Sequence, residues 1–505
     1  MSPAANTRWL GLGVLCLALL AIVVDNTIVN VALPTLAGEL QADTSRLQWV
    51  VDAYTLTFAG LLMAGGALGD RIGRRSVLVG GLLVFGVASA LAALAGGADA
   101  LIAARAAMGI GAAFVMPATL SLLVPLFPDE RERATAVGVW AATAGIGVAL
   151  GPVVGGLLLE HFSWGAIFLV NVPLVALAII GGLRLLPESR DPEQRPVDWL
   201  GAALSGAGLV ALVWAVIEGP ADGWTSSPVL AGTVIGAVLL VAFGWWQTRT
   251  PHPLLDVRLF RDARFSAAST AIMVLFFGLF GFLFLATQYL QFVLGLSPLS
   301  AGVHVLPYAG AMIVSASLAA KVAEALGPRR VVALGMALFA AGLGVAGTLT
   351  IDSGYGLLAI ALVLLGTGMG LAGTTATESI LGSLPPERAN VGSAVNDTTR
   401  ELGGALGVAV IGSVASSLYS GALTDAAPAQ VPTGALEAAS GSLDAAVRLG
   451  PGIAQAAQAA FVDATATASL VAMAVVAVGV VAAWRFLPAA EPSAVRNTPE
   501  TAGLL

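Results

Sequence analysis

Residues 17–34, LALLAIVVDNTIVNVALP, set one carboxylate, Asp25, and two amides, Asn26 and Asn30, in an apolar run that Pro34 closes. An acidic side chain this deep is too short to reach water past the hydrocarbon, so it must be paired, face a wet cavity or carry a proton. Arg105 poses the complementary problem, a guanidinium about five residues into the apolar run that starts near residue 100. Bare in hydrocarbon it costs several kcal/mol, so it faces a cavity or a carboxylate, or snorkels to the interface. If both runs face one cavity, Asp25 becomes a protonatable carboxylate tuned by Arg105, able to load on one side and release on the other. A second cluster is NDTTRE, where helical spacing puts Asp397, Arg400 and Glu401 on one face. That cluster reads either as a proton or substrate site or as a paired patch anchoring a gate. Asp52 and Tyr54 are candidates for a cavity mouth, with Trp49 nearby. The amides Gln288 and Gln291 are candidates for substrate contact, and Glu378 for a gate or cavity position; His304 reads as a polar interface residue. No phosphate-cradling loop, metal-ligand cluster or nucleophile triad is legible, which argues against ATP drive, a cofactor, a metal and an enzyme. The single cysteine, Cys16, excludes a disulfide framework.

The elements that must hold these residues are set by composition. The 505 residues are 57% hydrophobic and 10% charged, whereas a soluble domain carries about 25% charged residues. Most of the surface must therefore face lipid. The net charge of −7 gives no sign of a nucleic-acid partner. At about 20 apolar residues per crossing, fourteen spans fit the chain, from 9–33 to 463–487, giving an all-α polytopic membrane protein. Charge tests that count. With the N-terminus inside, 19 of the 23 Lys and Arg residues lie on the inner side, against Arg46 and Arg448 outside and Arg105 and Arg400 within spans. This asymmetry requires an even number of spans and puts both termini in the cytoplasm, with the longest polar connection, about 420–462, outside.

The chain also repeats. GALGDRIGRR, residues 66–75, follows span two, and AKVAEALGPRR, 320–330, follows span ten. An offset of 254 aligns Asp70 with Glu324, Gly73 with Gly327, Arg75 with Arg329 and Tyr54 with Tyr308. An offset of 257 aligns residues 109–111 with 366–368. The division that follows is a six-helix bundle over 1–190, two inserted spans over 191–262, a second six-helix bundle over 263–490, and a disordered tail over 491–505. Two parallel repeats imply a pseudo-two-fold axis along the membrane normal and a cavity between the halves.

On these motifs the chain resembles the major facilitator superfamily, and within it the fourteen-helix drug:proton antiporter family. GALGDRIGRR resembles the superfamily's loop 2–3 signature, VDNTIVNVALP the antiporter motif of span one, and LIAARAAMGIGAA the basic motif around Arg105. GIGVALGPVVGG resembles the antiporter motif of span five, followed in order by WGAIFLVNVP, DWLG and RELGGALGVAVIG. The resemblance implies a major facilitator fold and a conformational latch at Gly66, Asp70, Arg71, Gly73 and Arg74 that holds the cytoplasmic side closed. Gly147, Gly151, Gly155 and Gly156, with a bend at Pro152, give span five a smooth face for close packing. The expected function is proton-driven efflux of small amphiphilic compounds or antibiotics by alternating access. A dedicated exporter of one endogenous metabolite is the alternative, and an importer of the same fold is disfavoured by the motif around Pro152. Expected partners are a small-molecule substrate, protons and the lipid bilayer. The expected state is a monomer, multi-pass in the cell membrane, drawing on the proton gradient without a cofactor. A single Lys among the basic residues, with Ala, Gly and Val abundant, suggests a high-GC genome such as an actinobacterium's.

Overall fold

The computed structural model describes residues 5–190, 196–384, 389–426 and 431–488. The proposed tail 491–505 and the basic residues Arg195, Arg388 and Arg496 lie outside the described residues. Among the described residues there are helices and no strands. The first half comprises α1 (Ala5–Glu39), α2 (Thr44–Ile72), α3 (Arg74–Ala93), α4 (Ala98–Leu126), α5 (Glu130–His161) and a broken sixth span, α6 (Ala166–Leu169) with α7 (Asn171–Leu185). Then come α8 (Trp199–Asp222) and α9 (Ser227–Gln247). The second half comprises α10 (Ala263–Gln288), α11 (Pro298–Leu326), α12 (Pro328–Ala346), α13 (Tyr355–Leu381), α14 (Ala389–Ala426) and α17 (Pro451–Phe486), with two short helices, α15 (Thr433–Gly441) and α16 (Leu443–Arg448), before the last. Among the described residues, fourteen helices are long and apolar enough to cross a membrane, the number expected. A hydrocarbon interior leaves little choice, because a helix satisfies every backbone group within its own segment.

Several ends differ from expectation. Pro34 was expected to close span one, yet α1 runs on to Glu39; packed neighbours let a membrane helix tolerate proline. The polar connection set at 420–462 is largely helical, because α14 continues to Ala426 and α17 already begins at Pro451. Alanine-rich, weakly polar sequence such as GIAQAAQAA extends a helix beyond the apolar core. Span six is interrupted at Val170, which sets Asn171 at the head of α7.

The repeat is visible in the packing. A Cβ on Gly109 of α4 would collide with the Tyr54 carbonyl of α2, and one on Gly366 of α13 with the Tyr308 carbonyl of α11. Likewise Gly111 packs on Gly81 and Phe85, and Gly368 on Gly335 and Phe339. The hairpins α2–α3 and α11–α12 both turn on a glycine with positive φ, Gly73 at 127° and Gly327 at 83°. Only glycine adopts such angles without strain.

Two seams join the halves, α5 against α11 and α2 against α14. The glycine-rich face of α5 makes the first. Gly147, Gly151 and Gly155 rest on Val23, Thr27 and Ile28 of α1, whereas Gly156 meets the backbone of Pro298 and Leu299, and the Pro152 carbonyl meets Gly302. At the second seam, the Gln48 amide donates to the carbonyls of Val408 (2.9 Å) and Ala409 (3.0 Å). Gln291 donates across the halves to the Val31 carbonyl (2.9 Å), and Thr44 to the Gly441 carbonyl (3.1 Å). These contacts lie on the side away from the chain termini, so that side is sealed. Toward the termini, α5 exposes Val139 and Ile146, and α11 exposes Val314 and Leu318.

Candidate functional site

Asp25 and Arg105 do come together, as the sequence suggested. The Arg105 Nη1–Asp25 Oδ2 distance is 2.6 Å, with the two side chains 1% and 0% exposed. The second carboxylate oxygen accepts from Asn171 Nδ2 (2.8 Å), and the same amide reaches Ser89 Oγ (3.1 Å), whose hydroxyl donates to the Phe168 carbonyl (2.8 Å). Arg105 Nε donates to the Val50 carbonyl (3.0 Å), and its guanidinium lies over the Tyr54 ring at 4.3 Å. Six helices, α1, α2, α3, α4, α6 and α7, are thereby tied at one enclosed point. Asp25 therefore does not face the central cavity, and Arg105 does not snorkel. A buried ion pair is favourable only when further bonds offset its desolvation, and here the Asn171 amide and the Val50 carbonyl supply two of them. Asn171 and Ser89 were not singled out from the sequence, although a lone Asn in the apolar VNVP stretch was the available signal.

The cavity lies one face further round α1. It has a volume of about 40 Å³ and is lined by Thr27, Asn30 and Val31 of α1, Val148, Ala149 and Pro152 of α5, Leu283 and Thr287 of α10, and Val305, Leu306, Tyr308 and Ala309 of α11. Both halves contribute, as the repeat requires. A drug-sized ligand needs a pocket of about 300–1,000 Å³, so the halves must part further to admit one. Asn30 lines this cavity, and Thr27, Thr287 and Tyr308 join it. Residues 26 and 30 share a helical face on which 25 does not lie, so Asn26 and Asn30 turn toward the partner half while Asp25 turns away.

The second cluster forms across that interface. Asp397 Oδ1 stands 3.7 Å from Arg400 Nη1, and the guanidinium lies 4.8 Å from the centre of the Phe276 ring. Asn396 donates to Asp397 (3.4 Å) and accepts from Thr377 (3.1 Å). Glu401 has Asn26 of the other half within hydrogen-bonding reach, and its Oε2 is buried without a partner among the described residues. Two carboxylates thus stand near one guanidinium, which among the described residues pairs directly with Asp397 alone. With both ionised the cluster keeps one uncompensated negative charge.

The remaining candidates sit elsewhere. Tyr54 is enclosed over Arg105 and so does not line a cavity mouth. Asp52 is fully buried, taking a bond from Thr55 (3.4 Å), on the α2 face shared by Gln48 and Leu56. Gln288 bonds its own helix at Phe284 and borders a second, 20 Å³ cavity on the sealed side. Gln291 is a seal residue and Glu378 is exposed near the end of α13, so neither lines the central cavity. His304 is wedged between α11 and α13, stacked edge-on with Tyr355 at 4.4 Å.

The latch residues form a tight knot inside the first half. Arg74 Nη2 pairs with Asp70 Oδ1 at 2.8 Å and its Nη1 reaches the Ser121 carbonyl and Ser189 Oγ, each at 3.3 Å. Gly66 packs on Pro117, Gly73 makes the turn, and Arg71 is exposed. Glu188, which the sequence did not flag, accepts from the Arg75 N–H (3.0 Å) and Ser76 Oγ (2.6 Å). Partial burial raises its carboxyl, but bonds from Ser76, Ser189 and Arg75 and the Arg75 charge outweigh that and hold it below the usual range.

Residues 15–408 match the Major Facilitator Superfamily. The chain is 38% identical over 411 residues, 81% of both chains, to the multidrug efflux pump LfrA of Mycolicibacterium smegmatis. It is 32% identical to the tetracenomycin C resistance and export protein of Streptomyces glaucescens, covering 82% of this chain and 78% of that one. It is 35% identical to the methyl viologen resistance protein SmvA of Salmonella typhimurium, covering 88% of this chain and 89% of that one. Its fold superposes with a TM-score of 0.66 on a bacterial homologue of the human lysosomal transporter Spinster, at 16% identity and 96% and 98% coverage.

Proposed function

The chain belongs to the Major Facilitator Superfamily, and we propose that it exports amphiphilic organic compounds, drugs and antibiotics among them, in exchange for protons. Relatives named for multidrug efflux and for resistance to tetracenomycin C, methyl viologen and puromycin support drug efflux. The chemical spread of those names disfavours export of one endogenous metabolite. The chain is a multi-pass membrane transporter, and the charge asymmetry supports the terminus side as cytoplasmic in the cell membrane.

The observation that carries the coupling is the two-acid, one-arginine cluster at the interface. Asp397 and Glu401 against Arg400 leave one negative charge that one proton, or one positively charged ligand group, neutralises. Proton and cation then exclude one another, which is the requirement for antiport. The Asp25–Arg105 pair is already neutral and enclosed, with further bonds to Asn171 and the Val50 carbonyl, so its role is to hold α1, α4 and α7 together while the cluster exchanges its charge. Alternating access follows from the two seams: the sealed side opens as the terminus side closes, with the hairpin at Asp70 and Arg74 steadying the latter. Energy comes from the proton gradient, with one charge falling through 100 mV worth about 2.3 kcal/mol.

The test is uptake of methyl viologen, tetracenomycin C and puromycin into inverted vesicles carrying an imposed pH gradient. Uptake of at least one compound that stops when the gradient is collapsed is the expected result. Accumulation indifferent to the gradient would remove the proton from the scheme.

A further inference from the structure

The two seams are related by the pseudo-two-fold axis, yet among the described residues only the α2/α14 seam has α8 lying over it. α8 lies along α2 and α14 together, and its attachments to them differ in kind. To α2 it is fixed at three levels. Near its start, Val197 and Ala202 share a core with Ala64. In its middle, a Cβ on Gly60 would lie 3.3 Å from the Gly206 Cα, so the two backbones touch. Near its far end, Glu218 Oε1 accepts from both Ser45 Oγ (3.0 Å) and Trp49 Nε1 (3.1 Å). α9 is tied in through Asp198, which caps α8 at the Gly201 N–H (2.8 Å) and accepts from Trp246 Nε1 (2.9 Å) and Gln247 Nε2 (2.8 Å). Against α14, Val213 and Ile217 pack on Ala405, Ala409 and half-buried Leu406, in an apolar cluster that Leu56 of α2 also joins, and no hydrogen bond joins α8 to α14 among the described residues. Hydrogen bonds fix distance and direction. Contacts on small apolar side chains are non-directional and permit sliding at close approach.

We propose that the inserted pair α8–α9 rides with the N-terminal half as one rigid body, Glu218 being its anchor, and that α8 is a strap across the α2/α14 seam under which α14 slides when the halves rock. The strap rests on the rocking of the halves proposed above, but its test needs no transported compound. Nitroxide labels go on Arg46→Cys (α2), Ala221→Cys (α8) and Thr424→Cys (α14) in pairs, with Cys16→Ser removing the native thiol; all three labelled positions are exposed. Distances are read by pulsed electron paramagnetic resonance with and without the pair Gly156→Trp and Gly302→Trp, whose bulk wedges apart α5 and α11 where their backbones touch. The expected result is a fixed 46–221 distance while the 221–424 and 46–424 distances lengthen by several ångströms. Lengthening of 46–221 with a constant 221–424 distance would mean the pair rides with the other half, overturning the strap. A constant 46–424 distance would overturn the rocking itself, and the strap with it. Glu218→Ala should broaden the 46–221 distribution; an unchanged width removes the anchor role from Glu218.

Discussion

Asp25 and Glu401 are both acids within apolar helices, and their surroundings separate their roles. Asp25 is matched by a guanidinium and an amide, so removing its charge strands Arg105 in a dry interior. Breaking one partner of such a pair costs about 3–5 kcal/mol. We expect Asp25→Asn to lower the yield and thermal stability of the purified protein. Asp25→Leu with Arg105→Met should recover much of that stability in a thermal-shift measurement, because no lone charge remains. Glu401→Gln leaves no buried partner bare, so normal folding with lost gradient-driven transport is the expected outcome. A sequence shows that a carboxylate lies in an apolar run, but not which way it points. Asp25 and Asn26 are adjacent in the chain and turn to different neighbours, one to Arg105 and the other to Glu401. That difference depends on helix rotation, which tertiary packing sets. Arg105 as partner was legible because hydrocarbon forces such pairs; Asn171 and Ser89 were not, since neutral polar residues are cheap enough to occur anywhere.

At the level of elements, the glycines of α5 do two jobs. Gly147, Gly151 and Gly155 seat the helix on α1, and a side chain there is overpacking within one half, costing about 1–3 kcal/mol. Gly156 instead touches α11 of the other half. Gly151→Val should therefore reduce thermal stability, whereas Gly156→Trp should shift conformation: Ser413→Cys, buried beside Gln48 in the seal, should react faster with a membrane-impermeant maleimide. Equal labelling rates in both backgrounds would show that α5 and α11 do not form the seal. The near-four spacing made close packing legible, but spacing alone does not say which glycine meets which half. The hairpin between α2 and α3 carries a pH signature through Glu188. A carboxyl lowered by folding stabilises the hairpin above its unfolded pKa, about 4.3, and that contribution fades as pH falls through the lower folded value. Protection of the hairpin's amides from hydrogen exchange should fall below about pH 4, and Glu188→Gln should abolish the drop.

Across the whole molecule, span count, duplication and family were legible because each is forced by a constraint that acts on composition. Hydrocarbon thickness sets span length, and loop charge sets an even count. The burial of backbone against backbone preserves Gly109 and Gly366 at matching places in the two halves. What the chain could not disclose is state and seam. The sealed side, the 40 Å³ cavity and the cover over α2 and α14 arise from contacts between segments hundreds of residues apart. In this arrangement the halves meet through a cluster holding one charge too many, and the exchange of a proton for a cation at that cluster is the central claim. The most direct measurement is proton release when methyl viologen is added to purified protein in weakly buffered solution. The account predicts release on binding that disappears in Glu401→Gln while binding persists. Binding without release in the native protein, or release that survives Glu401→Gln undiminished, would contradict it.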